Sequence, residues 1–261
     1  MILWYIRYVL FDMRNNILFK FKYIFDKFLK RFFNIKIFNK DFVIYNSDGN
    51  FLCKHWTWDD YTISTADEKD MRSVFIDSMK GWWIFMDIWA HIWKWSIVLW
   101  RKYDNIKCYA FEPNPDTFEY LKKNVEINNL NKNVFPVNIW IWDKEWELDF
   151  FCSEIREVSS FNKDNVWINK YEKTKVWIST LDKFITDNEI DIEQVSLMKI
   201  DVEWFEREVV DGMKQILKNG NMKIIMEILN DSKNKERLFD TLERYWFKKK
   251  MINESNFLFY K

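Results

Sequence analysis

From residue 83 to the C-terminus the chain alternates short apolar runs with longer amphipathic stretches, and this alternation restricts the fold more than any other feature. Trp83–Ile88, Ile106–Phe111, Asn133–Asn138, Val195–Asp201 and Met222–Glu227 read as buried strands. Between them the pattern predicts helices over residues 94–103, 115–128, 205–217 and 232–245, with a hairpin-like segment through Leu148–Phe151. Strands that alternate with helices imply a parallel sheet covered by helices on both faces. The two closing runs, 247–251 and 256–260, are joined only through Asn253-Glu254-Ser255, close enough to pair antiparallel. The expected class is α/β, a doubly wound sheet that is mostly parallel with an antiparallel last strand.

Upstream of this unit, Phe42–Tyr45 and Phe51–Cys53 flank a loop containing Gly49 and read as a β-hairpin. Ser64 or Thr65 can cap a helix over residues 66–79, with Glu68 as a capping-box partner. The first 40 residues carry nine Lys/Arg against two Asp, which leaves a compensating acidic excess in the rest of a chain whose net charge is zero. The organisation expected is a basic, aromatic helical arm over 1–40, a hairpin and helix over 41–80, and the main domain over 81–261. Arg7 and Asp12 interrupt the arm well short of the roughly 20 apolar residues that a membrane span requires. Residues 1–35 suit either packing on the domain or a partner, or a peripheral contact with the inner face of a membrane. Three dispersed cysteines and two histidines assemble no zinc framework, and the cysteines fit a reducing cytoplasm.

Composition matters at one point. Globular domains use about 7% glycine, which predicts roughly 18 in a chain of this size; four are present, alongside sixteen tryptophans. The tryptophans fall at turns, as in Ile139-Trp140-Ile141-Trp142-Asp143-Lys144-Glu145-Trp146 and Arg244-Tyr245-Trp246-Phe247. Glycine serves where φ is positive or a backbone must approach closely, and an indole has no such use. The pattern is that of a gene whose UGA codons specify glycine, translated as though they specified tryptophan. By position, Trp89, Trp93, Trp140, Trp142, Trp146, Trp204 and Trp246 read as glycines, and Trp56, Trp58, Trp82 and Trp100 form a second tier. Trp4, Trp83, Trp95, Trp167 and Trp177 read as genuine.

Ligands of doubly wound sheets bind beyond the carboxyl ends of the strands. The first such end is Asp87-Ile88-Trp89-Ala90-His91-Ile92-Trp93-Lys94-Trp95-Ser96, or D-I-G-A-H-I-G-K-W-S with glycine at 89 and 93. Its D-x-G-x-x-x-G spacing differs from the G-x-G-x-x-G of a pyrophosphate cradle, which argues against a nucleotide-linked dehydrogenase. The second strand ends Ala110-Phe111-Glu112-Pro113-Asn114-Pro115, with Glu112 placed to accept hydrogen bonds from ribose hydroxyls. The fourth ends Lys199-Ile200-Asp201-Val202-Glu203-Trp204-Phe205-Glu206, where Lys199, Asp201 and Glu203 share a face if the strand runs that far. Glu203 and Glu206 also suit the N-terminus of the following helix, whose dipole favours acidic residues.

These segments, with Thr180-Leu181-Asp182, resemble the FkbM family of S-adenosylmethionine-dependent methyltransferases over about residues 74–251. That family shows D-x-G-A-N-x-G-x-x-[ST], [AF]-x-E-P-x-P, T-L-D and K-x-D-x-E-G-x-E in this order. The chain departs in tryptophan at 89, 93 and 204 and in His91 where asparagine is usual. The resemblance implies a class I methyltransferase, Rossmann-like, whose cofactor is S-adenosylmethionine. By it Asp87, Trp89, Ala90, His91, Trp93 and Ser96 hold the methionine part, Glu112 and Asn114 the ribose end, and Asn138 and Asp143 the adenine. Asp201 and Glu203 line the methyl-transfer site, where Asp201, Glu203 or His55 can take a proton.

The implied activity is O-methylation of a hydroxyl on a sugar, glycolipid or secondary metabolite. The partner is a small-molecule or glycan acceptor, and no nucleic acid is expected. Taken literally, the same residues give another reading: indoles at 89, 93 and 204 fill the cleft and leave a pseudoenzyme that binds a partner or membrane.

Overall fold

A strand that is apolar on both faces has to lie inside a sheet with cover on each side, and the first strand of the main domain is of this kind. The computed structural model describes residues 41–45, 48–54, 69–79, 84–92, 94–103, 105–153, 171–229 and 235–261, together with Phe25 and Asp59. In chain order its elements are β1 (Phe42–Tyr45), β2 (Asn50–Cys53), α1 (Lys69–Ser78), β3 (Ile84–Ile88), α2 (Lys94–Lys102), β4 (Lys107–Phe111), α3 (Pro115–Ile127) and β5 (Val134–Val137). There follow β6 (Trp140–Ile141), β7 (Trp146–Ser153), β8 (Tyr171–Ser179), α4 (Leu181–Asp187), β9 (Val195–Ile200), α5 (Glu206–Asp211) and α6 (Lys214–Asn219). The chain closes with β10 (Lys223–Glu227), α7 (Lys235–Arg244), β11 (Lys248–Met251) and β12 (Asn256–Tyr260).

The central sheet has seven strands among the described residues, in the order β11-β12-β10-β9-β3-β4-β5. From β10 to β5 every pairing is parallel, whereas β12 runs antiparallel to both β10 and β11. Every residue of β3 is buried. Ile84, Met86 and Ile88 enter one core, with β9, α5 and α6, while Phe85 enters the other, with α2 and α3. The strand order reverses between β3 and β9, so their carboxyl ends frame the crevice where such sheets hold ligands.

Local chemistry sets the helix starts around that crevice. Asn114 caps α3 by accepting from the Asp116 N–H, and Pro115 occupies the first turn, where its missing N–H costs nothing. Thr180 caps α4 in the same way through the Lys183 N–H. The β1–β2 hairpin docks on α3 through two asparagines one turn apart. Asn124 accepts from Leu52 N at 2.6 Å and Asn128 accepts from Asn50 N at 3.0 Å. Asn124 also donates to the Ile92 carbonyl at 3.0 Å, which ties the hairpin to the loop after β3.

Three expectations are corrected. The hairpin-like segment through Leu148–Phe151 finds its antiparallel partner in an unexpected strand: β7 pairs with β8, and β8 lies between β6 and β7 in a separate three-stranded sheet. The helix expected over 205–217 breaks at Gly212–Met213. A Cβ at Gly212 would stand 1.8 Å from the Trp142 carbonyl oxygen, and Asp182 restarts the helix by accepting from Gln215 N at 2.8 Å and Ile216 N at 3.1 Å. Strand β9 stops at Ile200, before the residues expected to extend its face. The arm over 1–40 apart from Phe25, the cap at Ser64 or Thr65, and residues 154–170 lie outside the described residues.

Candidate functional site

The carboxyl ends of β3 and β4 are joined by their own backbone. Ala90 N donates to the Phe111 carbonyl at 2.8 Å, and Glu112 N to the Val137 carbonyl at 3.0 Å. Glu112 is wholly buried, and its two oxygens accept from His91 N and Asn114 N, each at 2.9 Å. Asn138 donates to the carbonyls of Glu112 and Pro113 at 2.7 and 3.1 Å. Residues 87–92, 112–114 and 138 therefore form one continuous wall. Asp143 lies apart from it, exposed in the turn after β6 and against the position of Gly212. Trp93 lies outside the described residues.

Asp87 is the most constrained polar group in the wall. Ser96 donates to its Oδ2 at 3.1 Å, while its buried Oδ1 has no hydrogen-bond partner among the described residues. Burial pushes this carboxyl up to about 6, against the pull of Lys199 and Ser96. Lys199 stands opposite Asp87 in the β3–β9 register and donates to Asp201 Oδ2 at 2.8 Å. One buried ammonium thus faces two carboxylates. Burial opposes its charge, but Asp201 and Asp87 prevail and hold Lys199 above its ordinary range.

Asp201 has a second partner that motif reading missed. Glu227 ends β10, and because Met226 lies opposite Ile200 the two carboxyls emerge side by side and hydrogen bond to each other. The charge of Asp201, then burial, pushes Glu227 up to about 8, so it carries the proton of the pair at neutral pH. Burial opposes ionisation of Asp201 too, but Lys199 and the Glu227 hydrogen bond hold it below the carboxylate range. Ser255 donates to Glu227 Oε1 at 3.0 Å. The available signal was the acidic end of Met222–Glu227, the same signal that singled out Glu112.

Glu203 does not share this face. Past Ile200 the chain turns: Val202 is buried, and Glu203 is exposed with φ of 42°. Glu206 points inward, accepts from Trp204 N at 3.0 Å, and is pushed up to about 7 by burial. His91 also has positive φ, 52°, and its ring lies 3.7 Å from buried Asp59.

Between the wall and Val202 lies a cavity of only about 10 Å³, lined by Ile88, Trp89, Phe111, Pro113, Trp140 and Val202 among others. Sites for drug-sized ligands run to roughly 300–1,000 Å³. The Trp89 indole packs edge-on to Trp140 at 4.6 Å, and Trp140 meets Phe205 at 5.4 Å.

A methyltransferase FkbM domain model matches residues 86–250, which spans the wall, the β9 turn and β10. The chain belongs to the FkbM family. FkbM proteins are S-adenosylmethionine-dependent methyltransferases. Among solved structures the chain is similar to the methyltransferase FkbM from Methylobacillus flagellatus, with 11% identity, a TM-score of 0.50, and coverage of 68% of this chain and 43% of that one. The match therefore spans under half of that protein's length. The chain is also similar to TYW2 from M. jannaschii in complex with AdoMet, at 13% identity, TM-score 0.44 and 86% coverage of each chain. A further likeness is to P. horikoshii TYW2 in complex with MeSAdo, at 12% identity, TM-score 0.46, and 85% and 70% coverage. No curated protein matches the chain significantly.

The wall suits an FkbM cofactor chemically, with an orphaned Asp87 oxygen and a loop in which φ is positive at 89 and 91. The space does not suit it. The indoles of Trp89 and Trp140 occupy the crevice where a nucleoside would lie.

Proposed function

We propose that this protein transfers a methyl group from S-adenosylmethionine to a hydroxyl of a sugar, glycolipid or secondary metabolite, in the cytoplasm. The observation that carries the acceptor chemistry is the Asp201–Glu227 pair beside the crevice, one carboxyl ionised and the other protonated at neutral pH. S-adenosylmethionine supplies a methyl already activated on a sulfonium, so the protein has to position the acceptor and remove its proton. Asp201 takes that proton. Lys199 and the hydrogen bond from protonated Glu227 keep Asp201 ionised until then. Glu203, expected to share the role, stands exposed in the turn and is left as a rim residue.

A small-molecule or glycan acceptor, rather than nucleic acid, accords with zero net charge. Among the described residues no helix is long and apolar enough to cross a membrane. Residues 1–35, of which only Phe25 is among the described residues, are assigned to peripheral membrane contact. The test is methyl transfer from labelled S-adenosylmethionine to panels of glycans, phenolic metabolites and RNA, with protein purified from its own host. Label on a hydroxyl is expected, and label on RNA alone rejects the reading. Asp201→Asn is expected to lower turnover roughly 10²- to 10⁴-fold and leave cofactor affinity within about threefold. Equal loss of both rejects Asp201 as the base.

A further inference from the structure

Seven non-glycine residues among those described have positive φ, and three of them are tryptophan: Trp89 at 67°, Trp204 at 86° and Trp246 at 70°. Nine tryptophans are described, so a third of them adopt a conformation that only four of all other described non-glycine residues share. A few per cent of non-glycine residues lie there, mostly Asn, Asp and His, and for a bulky side chain the conformation is an outlier.

Each of the three stands where glycine has a mechanical use. Trp246 follows the last residue but one of the turn that ends α7. Its N–H donates to the Glu243 carbonyl at 2.9 Å, and Phe247 N donates to the Leu242 carbonyl at 3.1 Å. Those two bonds are the Schellman termination, whose left-handed position is usually glycine. Phe247 is buried, as that motif requires, yet Trp246 is 82% exposed, so no packing offsets its strain. Trp204, 41% exposed, occupies the turn into α5. Trp89 directly follows β3 and fills the cofactor crevice with its own ring. Trp95 shows what a tryptophan with a packing role looks like: helical, 6% exposed and stacked on Phe75 at 4.2 Å.

We propose that the natural polypeptide carries glycine at positions 89, 204 and 246, because these codons are UGA and the host reads UGA as glycine. Trp95 is a true tryptophan, encoded by UGG. At Trp140, Trp142 and Trp146 the backbone is ordinary, and the codon alone assigns them. The assignment stands apart from the methyl-transfer reading and bears on it only through the crevice, which glycine at 89 opens.

Peptide sequencing by mass spectrometry of the protein from its own host, together with the gene's codons, tests this. Glycine at 89, 204 and 246 from UGA, with tryptophan at 95, is the expected result; tryptophan in any of the three peptides, or UGG at those codons, overturns the proposal. Calorimetric titration with S-adenosylhomocysteine, on the chain as it stands and on Trp89→Gly/Trp204→Gly/Trp246→Gly, separates the two readings. Saturable binding only by the substituted chain is expected. Glycine in the host peptides, with no binding by the protein purified from that host, supports the recoding and removes the cofactor reading.

Discussion

The two halves of the crevice are built from different forces. On the β3–β4 side the polar groups are spent on the chain itself: both Glu112 oxygens hold backbone amides, and Asn138 clamps two carbonyls. On the β9–β10 side Lys199, Asp201, Glu227 and Ser255 bond to one another and share a proton. The first half is a shape that backbone geometry maintains, so it tolerates little change in volume or φ. The second is an electrostatic balance, so it responds to pH. A cofactor common to a whole family needs the former, and a proton transfer needs the latter.

The largest expected break of this contrast is steric. Trp89→Gly alone, which removes the indole and the positive-φ strain together, should tighten S-adenosylhomocysteine binding about a hundredfold, or ~2.8 kcal/mol. Calorimetry that shows unchanged affinity would mean that shape does not limit the β3–β4 half. Next is the clamp: Glu112→Gln places an amide donor against one of two backbone donors, which should cost about 2 kcal/mol of folding stability, read by urea denaturation. Glu203→Gln, exposed in its turn, should change stability by under about 0.5 kcal/mol.

A pH-dependent effect of intermediate size sharpens the other half. Glu227 is held up to about 8 against an ordinary 4.5. The unfolded chain therefore gives up this proton above about 4.5 while the folded chain keeps it until about 8, so folding weakens as pH rises through that window. Asp87 and Glu206, raised to about 6 and about 7, add slopes of the same sign. Glu227→Gln should flatten the fall in Tm across the window by a few degrees, the size of about 1 kcal/mol in a chain of this length. A variant whose Tm falls as steeply as the parent's would show that Glu227 does not hold the proton.

How much was legible follows the range of the interactions. The alternation of strands and helices around the central sheet, the antiparallel closing pair, and the strand-end residues Asp87 and Glu112 are written in local periodicity and spacing. The break of the 205–217 helix was not, because it depends on Gly212 meeting a carbonyl 70 positions earlier, at Trp142, and on a cap from Asp182. Nor was the sheet order β6-β8-β7, since strand periodicity shows which residues face inward but not which strand lies alongside.

By itself, then, the sequence determined the layered fold, the loops that meet at its carboxyl edge, and the anomaly of tryptophan at turns. Alternation, capping and backbone preference act within a few residues and leave their marks there. Only the tertiary structure decided that Asp201 pairs with Glu227 and not Glu203, since a shared proton requires two strands 26 residues apart to emerge in register. It also decided which tryptophans are mechanically misplaced: φ at 89, 204 and 246 is fixed by the bonds around each turn, whatever side chain the turn carries.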